Sequence, residues 1–413
     1  MVNKLINIKT CFFAALLIGN TMYASEFTVK PTFEACGLYL YYEEETECKI
    51  FYRKTAEKDW HSAYPPIYDR EKSEFRGSIV RLSENTDYTV KAEIYSASGK
   101  KQETFTENFK TWNSHPPIGK TIHISAFKNK DNDSYDINKV EGKPGGWIKI
   151  VGDQAVDALH TTRDYAIAVN RSRYLILEGI TVAGGGKHGI FIDRSSSNIR
   201  IINCDISKWG RSSNIQNENG VYIDKNKNKI NNDAGIRIER TGNIVVERCY
   251  IHDSRAKTNP WAGIIQDGPH KGTEYKSTHP EGPNGIHVTQ ATEGIVVRYN
   301  DVIGSQEHRY NDPIETAQNG YVDGGFNKDA DIYGNVMAFG QDDGIELDGG
   351  QCNVRLFNNR IEQTFCGISV APNRRGPSYI FNNLVWNLGN ANGVESVAVK
   401  SGGDVNTTYG RQF

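Results

Sequence analysis

Six segments of this chain can be laid over one another without a gap: IRIINCDI, IVVERCYI, IVVRYNDV, ADIYGNVM, VRLFNNRI and SYIFNNLV. Their alignment places Cys204, Cys249, Asn300, Asn335, Asn359 and Asn383 in one column, at intervals of 45, 51, 35, 24 and 24 residues. A fixed period of this size means that each repeat is a unit unable to bury its apolar face alone, so that stacking on its neighbours supplies the core. Twenty-four residues suit one turn of a right-handed parallel β-helix, three short strands and their bends, and the longer intervals are turns with inserted loops. A second column repeats beside the first: GIFID, GIRIE, GIHVT, GIELD and GISVA, each opening on glycine. Inward Ile, Val and Leu then stack into a continuous core, and the Asn column forms a hydrogen-bonded ladder at a bend. This requires Ile201, Val246, Val297, Ile332, Leu356 and Ile380 to lie at equivalent places on successive turns.

With these columns, the region from about residue 121 resembles the pectin-lyase-like parallel β-helix proteins over about 290 residues. The resemblance implies a fold and a broad set of functions, among them polysaccharide lyases, glycoside hydrolases, epimerases, phage depolymerases and adhesins. Residues 26–112 read differently. GLYLYY, CKIFYRK, FRGSIVRL and DYTVKAEIYS alternate apolar and polar side chains in short runs, the cadence of a small β-sandwich. There LSENTDYTVKAEI resembles the fibronectin type III signature, with Leu82, Thr86, Tyr88 and Val90 in its places. The expected class is therefore all-β: a sandwich over 26–112, a linker over 113–120, and the β-helix over 121–413.

The first 24 residues carry Lys4 and Lys9, then the apolar run CFFAALLIGNTMYA, and end on Ala24, the layout of a secretory signal. A secreted or periplasmic protein is expected. No later stretch is apolar over 18 residues, so no membrane span is expected. Lys and Arg number 48 against 50 Asp and Glu, for a net charge of −2. That balance offers no basic field for nucleic acid. Six cysteines follow the signal, at 36, 48, 204, 249, 352 and 366, without zinc-type spacing. The C-terminal VKSGGDVNTTYGRQF follows a strand without a segment to cover a last solenoid turn, so a further reading is that the chain is an incomplete fragment.

The residues beyond 24 in three successive turns are expected to enter before the Gly-Ile strands, and insertions at one angle of a solenoid build a wall along one face. Alternation then turns Phe191 and Asp193, Arg237 and Glu239, His287 and Thr289, Glu346 and Asp348, and Ser369 and Ala371 outward. In the stretch GQDDGIELDGG, Asp342 and Asp343 precede Glu346 and Asp348, and these four acidic residues are the candidate catalytic group. Positions two apart on a strand lie about 6.6 Å apart and neighbouring strands about 4.8 Å, spacings at which two carboxyls can divide acid and base work across a glycosidic bond. Arg237, Glu239, His287 and Trp261 are the candidate substrate-binding residues. For elimination instead, Arg237, His287 and an Asp-bound Ca²⁺ could neutralise a uronate and remove its proton. Trp209, Tyr222, Tyr275 and Tyr310 in the loops offer aromatic faces for sugars, and His270 and His279 are expected to face solvent.

QDDGIELDG also resembles the paired-aspartate motif of polygalacturonases, with Asp342 and Asp343 on its two aspartates, which implies acid/base roles for them. FCGISVA, one turn later, resembles that family's Gly-His-Gly segment. Phe365 and Cys366 replace the histidine, no Arg-Ile-Lys follows, and no Asn-Thr-Asp precedes. These departures speak against polygalacturonase itself and leave two readings, a related hydrolase with rearranged residues or a double Asp that only forms a turn. The expected function is an exported enzyme cleaving a polysaccharide in a groove on the β-helix, hydrolysis being favoured over elimination. The alternative is a glycan-binding or adhesion protein without catalysis.

Overall fold

The computed structural model describes residues 26–402. The signal-like segment 1–24 lies outside the described residues. Three parallel sheets, two of nine strands and one of eight, run the length of the C-terminal region, and each strand pairs with its counterpart one turn on. This is a parallel β-helix. Among the described residues the one helical element is a 3-10 turn, Ile124–Phe127. The first solenoid strand, Ile118–His123, already pairs in parallel with Trp147–Val151. The column drawn from sequence stacks as required: Ile201 lies opposite Val246, Val246 opposite Val297, Val297 opposite Ile332, Ile332 opposite Leu356 and Leu356 opposite Ile380.

Two devices make the turns. Immediately before each ladder residue the backbone is left-handed, at Asn203, Arg248, Tyr299, Gly334, Asn358 and Asn382. The ladder holds this bend: Asn300 Nδ2 donates to Asn335 Oδ1 at 2.9 Å, Asn335 Nδ2 to Asn359 Oδ1 at 2.9 Å, and Asn359 Nδ2 to Asn383 Oδ1 at 2.9 Å. Each amide thereby satisfies a buried neighbour that water cannot reach. The glycine column answers a different need. A Cβ on Gly344 would lie 2.2 Å from Ile361 Cγ2, and one on Gly285 would lie 2.2 Å from Val302 Cγ1. These glycines face the core at a corner where a neighbouring sheet leaves no room for a methyl group, and the isoleucine that follows each of them, Ile286 or Ile345, is itself a core residue.

Two four-stranded antiparallel sheets built from residues 27–110 form the sandwich. Tyr88 is buried and its hydroxyl accepts the Ser83 N–H at 2.9 Å, tying the corner as its sequence context predicts. The sandwich lies against the outer face of one solenoid sheet. Phe33 packs there with Val245, Val296, Tyr333 and Phe357. Arg298 joins Glu247 at 2.7 Å and also bonds Ser114 Oγ at 2.8 Å, while Arg355 joins Asp331 at 2.5 Å and donates to Ser78 Oγ at 3.2 Å. A cavity of about 150 Å³ at this junction, lined by Lys30, Trp112, Glu293 and Asp329, lies away from the carboxylates of interest.

Candidate functional site

The neighbouring nine-stranded sheet carries the Gly-Ile strands. Reading across it in register, one row of side chains runs Phe191, Arg237, His287, Glu315, Glu346, Ser369 and Lys400. The strand Ile314–Ala317, sequence IETA, therefore stands between the GIHVT and GIELD strands. It escapes the glycine column because Pro313 takes the glycine's place. The extra residues of that turn are divided between 304–313 and 318–330 on either side of it, not gathered ahead of the strand as the spacing alone suggests. Glu315 and Asp312 come with this strand. Asp312 precedes the paired aspartates by one turn, next to Asn311.

Asp312, Asp342 and Asp343 each bring a carboxylate oxygen within 4.8 Å of the others, and Asp312, Glu315 and Glu346 form a second such group. Asp343 N–H donates to Asp312 Oδ1 at 2.7 Å. Asn311 Nδ2 donates to Glu315 Oε2 at 3.0 Å. Asp342 accepts from Trp261 Nε1 at 3.1 Å on Oδ1 and faces His279 Nε2 at 3.3 Å on Oδ2. The other ring nitrogen of His279 lies 2.6 Å from the Pro280 carbonyl, which can only accept, so Nδ1 carries the hydrogen and Nε2 is the nitrogen that faces Asp342. Lys400 Nζ lies 2.6 Å from Asp343 Oδ2. Asp348 accepts from Ser369 Oγ at 2.7 Å and from the Ala371 N–H at 2.5 Å, which fixes the bend after the strand, and its charge acts on Asp343 and Glu346.

Sequence alternation turns Glu346, Asp348, Arg237 and His287 outward, and an outward residue is expected to be exposed. In the structure all four are buried, His287 at 2 % and Arg237 at 9 % exposure. The direction is right and the exposure is corrected, because other segments pack on this face: Trp261 and His279 reach Asp342 from one loop and Lys400 reaches Asp343 from a further strand. Glu239 keeps about a third of its side chain exposed and lies 4.0 Å from Arg237 Nε. Trp209, Tyr222, Tyr275 and Tyr310 are buried at 0, 4, 5 and 0 % and pack the loops, so they offer no face to a sugar. Trp261 alone of these five keeps partial exposure, against His279 at 5.1 Å and Phe365 at 6.1 Å. His270 and His279 are both exposed as expected, and His279 also reaches Asp342.

Crowding carboxyls in a buried site makes them hold protons. Burial first, and then the like charge of Asp342, push Asp343 up to about 8 despite Lys400. Burial and neighbouring carboxylates raise Glu346 and Asp312 well above the usual range, and raise Glu315. Lys400 stays charged, since Asp343 and Asp342 outweigh its own desolvation. Two means of neutralising such a group exist: shared protons, or a hard cation taking carboxylate oxygens. The oxygen-only donor set fits Ca²⁺ by type. Asp312 and Glu315 lie close enough for the first of these means, a proton held between two carboxyls.

Residues 158–304 match a family model described as a right handed beta helix region. No curated protein matches the chain at a significant level. Among solved structures, the family 28 exopolygalacturonase of Yersinia enterocolitica is 11 % identical over 90 % of this chain and 80 % of its own, with a TM-score of 0.33. Pectate lyase Pel9A is 13 % identical over 72 % of this chain and 69 % of its own, with a TM-score of 0.37. An alginate lyase from Paenibacillus sp. is 12 % identical over 67 % of this chain and 99 % of its own, with a TM-score of 0.35.

Proposed function

We propose that this chain is an exported polysaccharide hydrolase whose acid/base centre is Asp343 and Asp342. The observation that carries this reading is the convergence of three carboxyls, Asp312, Asp342 and Asp343, within 4.8 Å, one of them held protonated to about pH 8. Environments that separate the proton affinities of adjacent carboxyls are what acid/base hydrolysis needs. Asp343 gives its proton to the glycosidic oxygen as the bond to the leaving sugar breaks, and Lys400 stabilises the carboxylate left behind. Asp342, oriented by Trp261 and His279, takes a proton from the water that attacks the anomeric carbon. Asp312 fixes the backbone of Asp343 and, with Glu315, keeps the local charge low. Partly exposed Trp261 forms the rim against which a sugar ring can lie. A Ca²⁺ ion at these oxygens would supply charge neutralisation of an acidic sugar, the chemistry of an elimination.

The test is incubation of the purified protein with neutral and acidic polysaccharides, following both reducing ends and the absorbance of unsaturated uronates. Hydrolysis gives reducing ends without unsaturated products, and a chelator leaves the rate unchanged. Asp343→Asn and Asp342→Asn each lower the rate by about 10²-fold or more. Asn is isosteric with the protonated carboxyl that Asp343 presents below about pH 8, so the first variant keeps its fold. Unsaturated products would replace hydrolysis with elimination. Tight glycan binding with no product of either kind would establish a binding module instead.

A further inference from the structure

Beyond the carboxyls, towards the N-terminal end of the same sheet face, lies a second group that the acid/base reaction does not use. Arg237 and His287 are neighbours across adjacent strands, and both are buried. Arg237 Nη1 and His287 Nε2 have no hydrogen-bond partner, and Thr289 Oγ1 beside them has none either. The nearest acid to Arg237 is Glu239, at 4.0 Å from Nε. A buried guanidinium nitrogen left without an acceptor is costly, and so is a buried imidazole N–H.

The proton on His287 can be placed by following the bonds. Asp312 N–H donates to Asn284 Oδ1 at 3.2 Å, and Asn284 Nδ2 donates to the Asn231 carbonyl at 2.7 Å. That fixes the amide's orientation. Its Nδ2, 3.4 Å from His287 Nδ1, therefore donates to that nitrogen. Burial and the Arg237 charge keep the ring neutral, so the hydrogen sits on Nε2. Two N–H donors, one of them cationic, thus stand on adjacent strands without an acceptor. On the next strand the partly exposed Phe191 ring runs nearly parallel to Tyr165, at 6.3 Å and 16°, and to His188, at 5.8 Å and 22°. An aromatic platform beside orphaned donors is an arrangement that a sugar bearing an anionic group satisfies at both ends.

We propose that Arg237 and His287 form an oxyanion subsite that receives a carboxylate or sulfate group carried on the glycan, with the sugar ring against Phe191, so that the substrate class is an acidic polysaccharide. This rests on the groove being the glycan site. Glu315 lies two strands from Arg237, about 10 Å, and Glu346 three, about 14 Å, so the subsite grips a sugar set back from the bond that is cut.

The experiment measures binding of the full chain to paired probes: polygalacturonate against its methyl ester, alginate against its propylene glycol ester, and dextran sulfate against dextran. The expected result is about ten- to hundredfold tighter binding of at least one anionic member over its capped or unsulfated partner. A preference confined to the uronates identifies a carboxylate, and one confined to dextran sulfate identifies a sulfate. Arg237→Gln should abolish the preference, and Arg237→Lys, which keeps the charge without the planar fork, should restore part of it. Equal binding within every pair, binding to no anionic probe, or a preference that survives in a folded Arg237→Gln protein would overturn the proposal. If that variant does not fold, the paired comparison on the unaltered chain, with Arg237→Lys, still decides. Reducing ends are scored separately: an acidic preference without cleavage removes the hydrolase reading and leaves the subsite, while cleavage of neutral glycans without preference does the reverse.

Discussion

Asp343 shows how far a side chain's chemistry depends on what the fold brings beside it. In the unfolded chain it titrates near 3.9; in the folded protein burial and Asp342 hold its proton to about 8. Between those values the folded state keeps a proton that the unfolded state has lost. Its contribution to stability is therefore complete below about pH 4 and disappears as pH rises through about 8. Urea unfolding of the wild type and of Asp343→Asn across this range should show the variant gaining on the wild type as pH rises, by up to about 1.4 kcal/mol per unit. A constant difference would mean that Lys400 already holds Asp343 ionised in the folded state. The acidic stretch around Asp343 stands out in the sequence, but Lys400 does not: its strand, Val399–Ser401, lacks the Gly-Ile opening, and a lone lysine gives no sign that it will meet a carboxylate 57 residues earlier. His279 was hidden for a related reason, since a loop residue's partner depends on how the loop folds back.

Strands and bends were far more legible, because each obeys a rule that repeats. The Asn ladder is visible in sequence as a column, and in the structure Asn335 both donates to the Val297 carbonyl and Asn359, at 2.9 Å each, and accepts from the N–H and Nδ2 of Asn300, at 3.0 and 2.9 Å. Asn335→Ala leaves those groups buried and unpaired, so it should destabilise the protein by about 3 kcal/mol in urea unfolding. A loss below about 0.5 kcal/mol would show that water enters the bend and replaces the amide. The strand Ile314–Ala317 was illegible because Pro313 breaks the glycine column and insertions flank it on both sides. With it were lost Asp312 and Glu315, two of the carboxyls that set the site's charge. Alternation gave the direction of Arg237, His287, Glu346 and Asp348 but not their burial, since a strand's pattern reports which face a residue takes and not what later covers that face.

The two domains are joined by charge as well as by apolar packing. Arg355, fully buried, is held by Asp331 and reaches Ser78 of the sandwich, while Thr32 of the sandwich bonds Asp331 from the other side. Removing Arg355 strands Asp331 in the interior, so Arg355→Ala should cost about 3–5 kcal/mol. Calorimetry of the wild type should show sandwich and solenoid unfolding in one transition, and a separate early transition for the sandwich would show that the junction does not couple them. On the neighbouring sheet, every side chain of the candidate site belongs to a particular coil, and coils advance by one strand spacing, about 4.8 Å. The span between a gripping point and a cutting point on such a surface can change only in whole graduations, as on a ruler. Insertion of one complete coil between those of His287 and Glu315 would keep the residues of both sites and move them one mark further apart, so that the length of the fragment released would be set by counting coils.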